Sequence, residues 1–255
     1  MSSTLEKLLA RERPAVLAGL VGAIALSWLY LVPAARDMYG PMDGLSAWMM
    51  QSDWDVRYFI LIFLMWAVMM VGMMLPSAAP AILLYARVQR NSDGVEAPAA
   101  RIHAFTGGYL LAWTGFSIAA TLLQYVLSRA TLLSPMMESA SPLLAGGLLI
   151  IAGLYQWTSL KQACLTNCRS PAAFITQHFR PGVGGALRLG AHHGLYCVGC
   201  CWALMMLLFA GGVMNLLWIA AITVFVLLEK LAPYGAQGGR LSGALLVLAG
   251  FVVLA

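Results

Sequence analysis

The stretch AHHGLYCVGCCWALMM, from Ala191 to Met206, carries two histidines, three cysteines and two methionines. Wound as a helix at about 100° per residue, it brings His193, Cys197 and Cys200 within roughly 60° of one another. Cys201 and Met205 extend the same face. The other two cysteines, Cys164 and Cys168, are spaced i, i+4 in SLKQACLTNCRSP. A third group lies in FLMWAVMMVGMMLPSAAP, Phe63 to Pro80, where Met65, Met69 and Met73 form one stripe and Met70 and Met74 a second beside it. Thiolate and thioether together are the ligand set that selects Cu(I); Zn(II) is the possible alternative but prefers thiolate and imidazole without thioether. Cysteine and methionine also fill bundle cores as small and adaptable hydrophobes, and that is the competing reading for each residue taken singly. Cys197 and Cys200 have, in addition, the C-x-x-C spacing of thiol oxidoreductases.

The elements that must position these side chains are transmembrane helices. Of 255 residues, 61% are hydrophobic and 10% charged, whereas about a quarter of a soluble domain is charged. A crossing needs roughly 20 apolar residues, and the runs are Pro14 to Val32, Tyr58 to Leu75, Ala104 to Leu127, Leu143 to Leu160, Leu195 to Val213, Leu216 to Leu231 and Leu241 to Ala255. With the N-terminus inside, Lys7, Arg11, Arg13, Arg87, Arg90, Arg101, Lys161, Arg169, Arg180, Arg188, Lys230 and Arg240 fall on the inner side, and only Arg36, Arg57 and Arg129 on the outer side. That alternation predicts an all-α bundle of seven helices, N-terminus cytoplasmic and C-terminus out, as one transmembrane domain over 1–255; six helices is the alternative if the short last run does not cross. The first run exceeds a signal-peptide apolar region and reads as an anchor.

This topology sets the depth of the candidate ligands. Cys164 and Cys168 fall where the fourth helix leaves the membrane on the inside, and Cys197, Cys200 and Cys201 in the first turns of the fifth, entering from the same side. Met69, Met70, Met73 and Met74 fall in the inner half of the second helix. Cytoplasmic thiols stay reduced, and the odd cysteine count also argues against a disulfide framework. Pro76 and Pro80 are expected to end or kink the second helix. The outer loop, with Asp37, Asp43, Asp53, Asp55, Met38, Met42, Met49 and Met50, reads either as a cation collector or as an interfacial segment with Trp48 and Trp54 as belt residues. Glu229 and Lys230 read as charges snorkelling near the inner interface.

Three blocks resemble a bacterial inner-membrane family described as predicted metal-binding integral membrane proteins, sometimes labelled copper chaperones. They are MWAVMMVGMMLPSAAP (Met65 to Pro80), SLKQACLTNCRSP (Ser159 to Pro171) and GALRLGAHHGLYCVGCCWALMM (Gly185 to Met206), continuing through GGVMNLLWIAAITVFVLLEK (Gly211 to Lys230). The resemblance covers roughly residues 58–233. It implies that Cys164, Cys168, His193, Cys197, Cys200, Cys201 and the methionines of the second helix are motif residues; His178 and the outer-loop acids belong to no motif of it.

The leading expectation is a membrane protein, not an enzyme, that binds and transports or delivers a soft metal ion, with a Cys/His cluster at the cytoplasmic side and a methionine-lined path. Its partners would be membrane lipid, the ion, and a protein that donates or accepts it. No ATPase motif, nucleotide site, membrane haem site or nucleic-acid partner is expected. A thiol oxidoreductase using Cys197 and Cys200, and a scaffold subunit of a membrane complex, remain open alternatives.

Overall fold

The structure, a computed structural model, describes residues 2–40, 53–91 and 98–255. The described residues are helical, without strands: α1 (Ser2–Met38), α2 (Val56–Asn91), α3 (Pro98–Arg129), α4 (Pro142–Tyr155), α5 (Ser159–Arg169), α6 (Pro171–His178), α7 (Gly182–Met206), α8 (Leu208–Gly211), α9 (Leu216–Leu231) and α10 (Gly235–Leu254). Local chemistry sets several starts. Asp55 accepts the Tyr58 N–H before α2, Thr158 accepts that of Lys161, and Asn215 accepts that of Trp218. Each satisfies a donor that the first turn leaves free. Proline opens α4 and α6, where its missing N–H removes no bond.

Among the described residues, five helices are long and apolar enough to cross a membrane: Ala15–Met38, Val56–Arg90, Pro98–Arg129, Gly182–Gly211 and Gly235–Leu254. The pair α4 and α5 makes a sixth if counted together, bent by 67° at its break. Seven crossings are not confirmed. The helix expected as the sixth, α9, has 16 residues, a rise of about 24 Å at ~1.5 Å per residue against roughly 30 Å of hydrocarbon.

Three expected boundaries shift, and with them the depth of the site. The fourth helix does not run on to the cysteines: it stops at Tyr155, and Cys164 and Cys168 sit on the separate, Thr158-capped α5. The cysteine helix begins at Gly182 rather than near Leu195. Cys197 is therefore about four turns inside it, not in its first turns. The second helix does not end at its prolines but continues to Asn91. Pro76 lacks the N–H that would reach the Gly72 carbonyl; the Trp28 indole N–H donates to that carbonyl at 3.3 Å instead. Met69 to Met74 thus lie at the middle of α2. Of the outer loop, Met42, Asp43, Trp48, Met49 and Met50 lie outside the described residues, while Met38 is buried against the core.

Glycines bring the helices together. A Cβ on Gly190 would meet the Phe105 carbonyl, and one on Gly108 the Leu187 carbonyl, so α3 and α7 touch backbone to backbone. Gly146 against Gly250 and Gly153 against Gly243 do the same for α4 and α10. Small residues at such crossings allow the packing that drives association in lipid.

A buried ion pair fixes α9. Lys161 Nζ lies 2.7 Å from Glu229 Oε1 and donates to Oε2 at 2.8 Å, with both side chains buried. Arg169 donates to the carbonyls of Glu229 at 2.6 Å, Ala232 at 2.8 Å and Pro233 at 3.1 Å. These carbonyls lie at the C-terminal end of α9, where that of Ala232 also accepts the Gly235 N–H at 3.1 Å.

Two outcomes follow from this packing. Gly190→Ala is expected to cost about 2 kcal/mol by overpacking and so lower the thermal midpoint in detergent by about 5 °C. Gly107→Ala, whose added Cβ meets nothing within 4 Å, should leave the midpoint unchanged. Glu229→Gln strands the Lys161 charge and is expected to cost about 3–5 kcal/mol, whereas replacing both partners by Met and Leu recovers most of the loss. Chemical denaturation in detergent measures both.

Candidate metal centre

Helices α2, α3, α5, α7 and α9 meet around Cys197. Its Sγ accepts a hydrogen bond from Lys230 Nζ at 2.8 Å, and the Tyr109 hydroxyl lies 3.1 Å from the same sulfur. That hydroxyl also donates to the Met74 carbonyl at 3.1 Å. Lys230 donates further to Ser77 Oγ at 3.0 Å. One sulfur thus collects a cation from α9 and a hydroxyl from α3, both tied back to α2.

The remaining thiols cluster on it. On α7, Cys200 and Cys201 fall one turn beyond Cys197, and their thiols donate to its carbonyl at 3.1 and 2.9 Å. Cys168 reaches across from α5, its sulfur 4.0 Å from that of Cys200. Cys164 lies against Gly199, where a Cβ would stand 2.7 Å from its sulfur. Glycine at that position is what lets α5 approach. Facing α2, the Cys201 sulfur is 3.9 Å from the Met74 thioether. All five cysteines are free.

The structure therefore brings Cys164, Cys168, Cys197, Cys200, Cys201 and Met74 together. Met69, Met70 and Met73 are buried along α2, and Met205 is buried one turn past Cys201. These four belong to the same buried core. His193 lies one turn before Cys197, its ring between Tyr109 at 5.9 Å and Phe174 at 5.1 Å. Its Nδ1 is buried with no hydrogen-bond partner among the described residues. As the side chains stand, no three His, Cys, Asp or Glu groups among the described residues are arranged to hold an ion.

Sequence reasoning missed three members of this constellation, Glu229, Lys230 and Tyr109. Glu229 and Lys230 do not snorkel: they are 2% and 5% exposed and face inward. The signal was present, since adjacent opposite charges ending an otherwise apolar helix are a functional indication in a membrane protein. Their direction was not, because it is set by Lys161 on α5 and Cys197 on α7. Tyr109 had no distinguishing pattern in the sequence. It belongs to the site because Gly108 brings that part of α3 against α7.

No curated protein and no solved structure matches the chain. The family PpoB2, described as copper chaperone, matches residues 63–253. That range contains α7, α5, α9, nearly all of α2 and the described network around Cys197. The chain belongs to this copper chaperone family.

Proposed function

We propose that the chain is an integral membrane protein that binds Cu(I) at the Cys197 cluster and passes it on, acting as a carrier rather than an enzyme. The observation that supports this most is the convergence of five thiols and a thioether around Cys197, whose sulfur accepts a hydrogen bond from the buried Lys230. A Cu(I) ion needs only two thiolates, so the absence of a preformed three-ligand cage is no obstacle. Cys197 with Cys200, Cys201 or Cys168 supplies that pair. Thioether is too soft for Zn(II) to favour and suits Cu(I).

Charge explains the lysine. Two thiolates on Cu(I) carry a net charge of −1, and an isolated buried charge is strongly disfavoured. The Lys230 ammonium makes the loaded centre neutral. Buried Met69, Met70, Met73 and Met205 extend the centre as weaker sites along the bundle, where ions can both arrive and leave. In this reading the membrane is the bacterial inner membrane with the N-terminus in the cytoplasm, and the donor or acceptor of copper is a protein or small thiol. The cluster lies near the middle of α2 and α7, so copper must travel along the bundle to reach it.

The Lys230 contact also suits a nucleophilic thiolate, which is the specific observation favouring a thiol oxidoreductase. Titrating thiols across a range of potentials separates the two: a two-electron step between Cys197 and Cys200 supports redox chemistry.

Purified protein loaded under reducing conditions is expected to hold at least one copper per chain. Cys197→Ser with Cys200→Ser is expected to lose it. Less than one copper per chain in both proteins would overturn the reading. Lys230→Met is expected to weaken Cu(I) binding by about 100-fold, roughly 3 kcal/mol, because it leaves the thiolate centre without its counter-charge; Lys230→Arg should retain most of the affinity. Competition with a coloured Cu(I) chelator measures each.

A further inference from the structure

A second group of potential ligands stands outside the thiol cluster. At the corner between α6 and α7 a cavity of about 370 Å³ is lined by Gln177, His178, Arg180, Arg188 and His192 among others, with no acidic side chain. The two imidazoles come from different helices and their ring centroids lie 4.7 Å apart at 83°. His178 Nδ1 is 3.1 Å from the Phe174 carbonyl. A carbonyl can only accept, so Nδ1 carries the proton and the Nε2 lone pair of the neutral ring is left for a ligand. A backbone carbonyl that fixes the tautomer in this way is the usual support of a metal-binding histidine.

The same corner leads inward. Phe174 packs against His178 at 4.9 Å, His192 at 5.6 Å and His193 at 5.1 Å. His193 in turn neighbours Tyr109, which touches the Cys197 sulfur. A chain of packed rings therefore runs from a half-buried pair, His178 and His192, past Phe174 to His193, whose Nδ1 has no hydrogen-bond partner among the described residues, and on through Tyr109 to the Cys197 sulfur.

We propose that His178 at the end of α6 and His192 in the first half of α7 form a two-imidazole Cu(I) exchange site, through which copper reaches the Cys197 cluster. The proposal rests on the copper-binding reading above and adds to it the route of loading. Arg180 and Arg188 disfavour a free divalent ion in this cavity. They suit copper presented as a complex with an anionic, carboxylate-bearing thiol, whose negative groups pair with the guanidinium groups. The transfer is a ligand exchange without change of oxidation state. Bonds form from Cu(I) to His178 Nε2 and to a His192 ring nitrogen as the carrier's Cu–S bond breaks, and the carrier leaves as a thiolate that takes a proton from water.

The test is the rate at which detergent-purified full-length protein takes up copper anaerobically from a Cu(I)–glutathione complex. The His178→Ala, His192→Ala double variant is expected to load about tenfold more slowly, the scale of effect when a metal-orienting group is lost. Its final copper content should be unchanged, and added imidazole should restore part of the rate, which a purely structural role would not allow. If the double variant does not fold, His178→Ala alone supplies the same test, since this ring lies outside the long helices. Loading at the wild-type rate overturns the exchange site and leaves the copper-binding reading standing. Failure of the wild-type protein to take up copper at all overturns both.

Discussion

Charge inside an apolar bundle is the constraint on which the rest of the structure depends. Lys161, Glu229 and Lys230 are all buried, in a chain whose neighbouring helices are long and apolar enough to lie in lipid. There is no bulk water to solvate them, so each must find a partner within the protein. Glu229 takes Lys161, Arg169 takes carbonyls at the end of α9, and Lys230 is left pointing the other way, at Cys197 and Ser77. The pairing thus does two things at once: it anchors α9 to α5, and it aims a cation at the one sulfur around which the other thiols gather.

Close helix approach is the second requirement. The glycines of α3 and α7 let the two backbones touch, which brings Tyr109 within 3.1 Å of the Cys197 sulfur. Gly199 gives Cys164 room. Bulkier residues would push these helices apart by more than a hydrogen bond can span, and the cluster would separate into unrelated buried thiols. The prolines of α2 fit the same pattern. The helix runs through Pro76 because a side chain from α1 takes up the orphaned carbonyl, and this continuity keeps Met74 opposite Cys201.

These features give the copper chaperone family a physical interpretation in this chain. Soft ligands alone would make a tight trap. In the proposed reading, a lysine facing Cys197, thiols donating to a backbone carbonyl and methionines spaced along α2 make a centre that would hold an ion without enclosing it.

Much of this was legible in the sequence, for identifiable reasons. Long apolar helices followed from long uncharged runs, and the choice of candidate soft ligands from residue types that few other sites combine. Helical spacing put His193, Cys197, Cys200, Cys201 and Met205 on related faces. What the sequence could not determine was anything that depends on a partner in another helix. The break after Tyr155 was hidden inside an apolar run, because a bend of 67° depends on how α5 packs rather than on hydropathy. The true start of α7 was masked by Arg188 and its glycines, which read as a loop until α3 covers them. Lys230 looked like a surface charge, since direction on a helix end is decided by the groups waiting across the gap. By itself the sequence determined which atoms are available for chemistry, because that is a matter of residue type and period. Only the tertiary structure decided that a buried lysine faces the Cys197 sulfur around which the other thiols gather, because burial of charge is satisfied between helices and not along them.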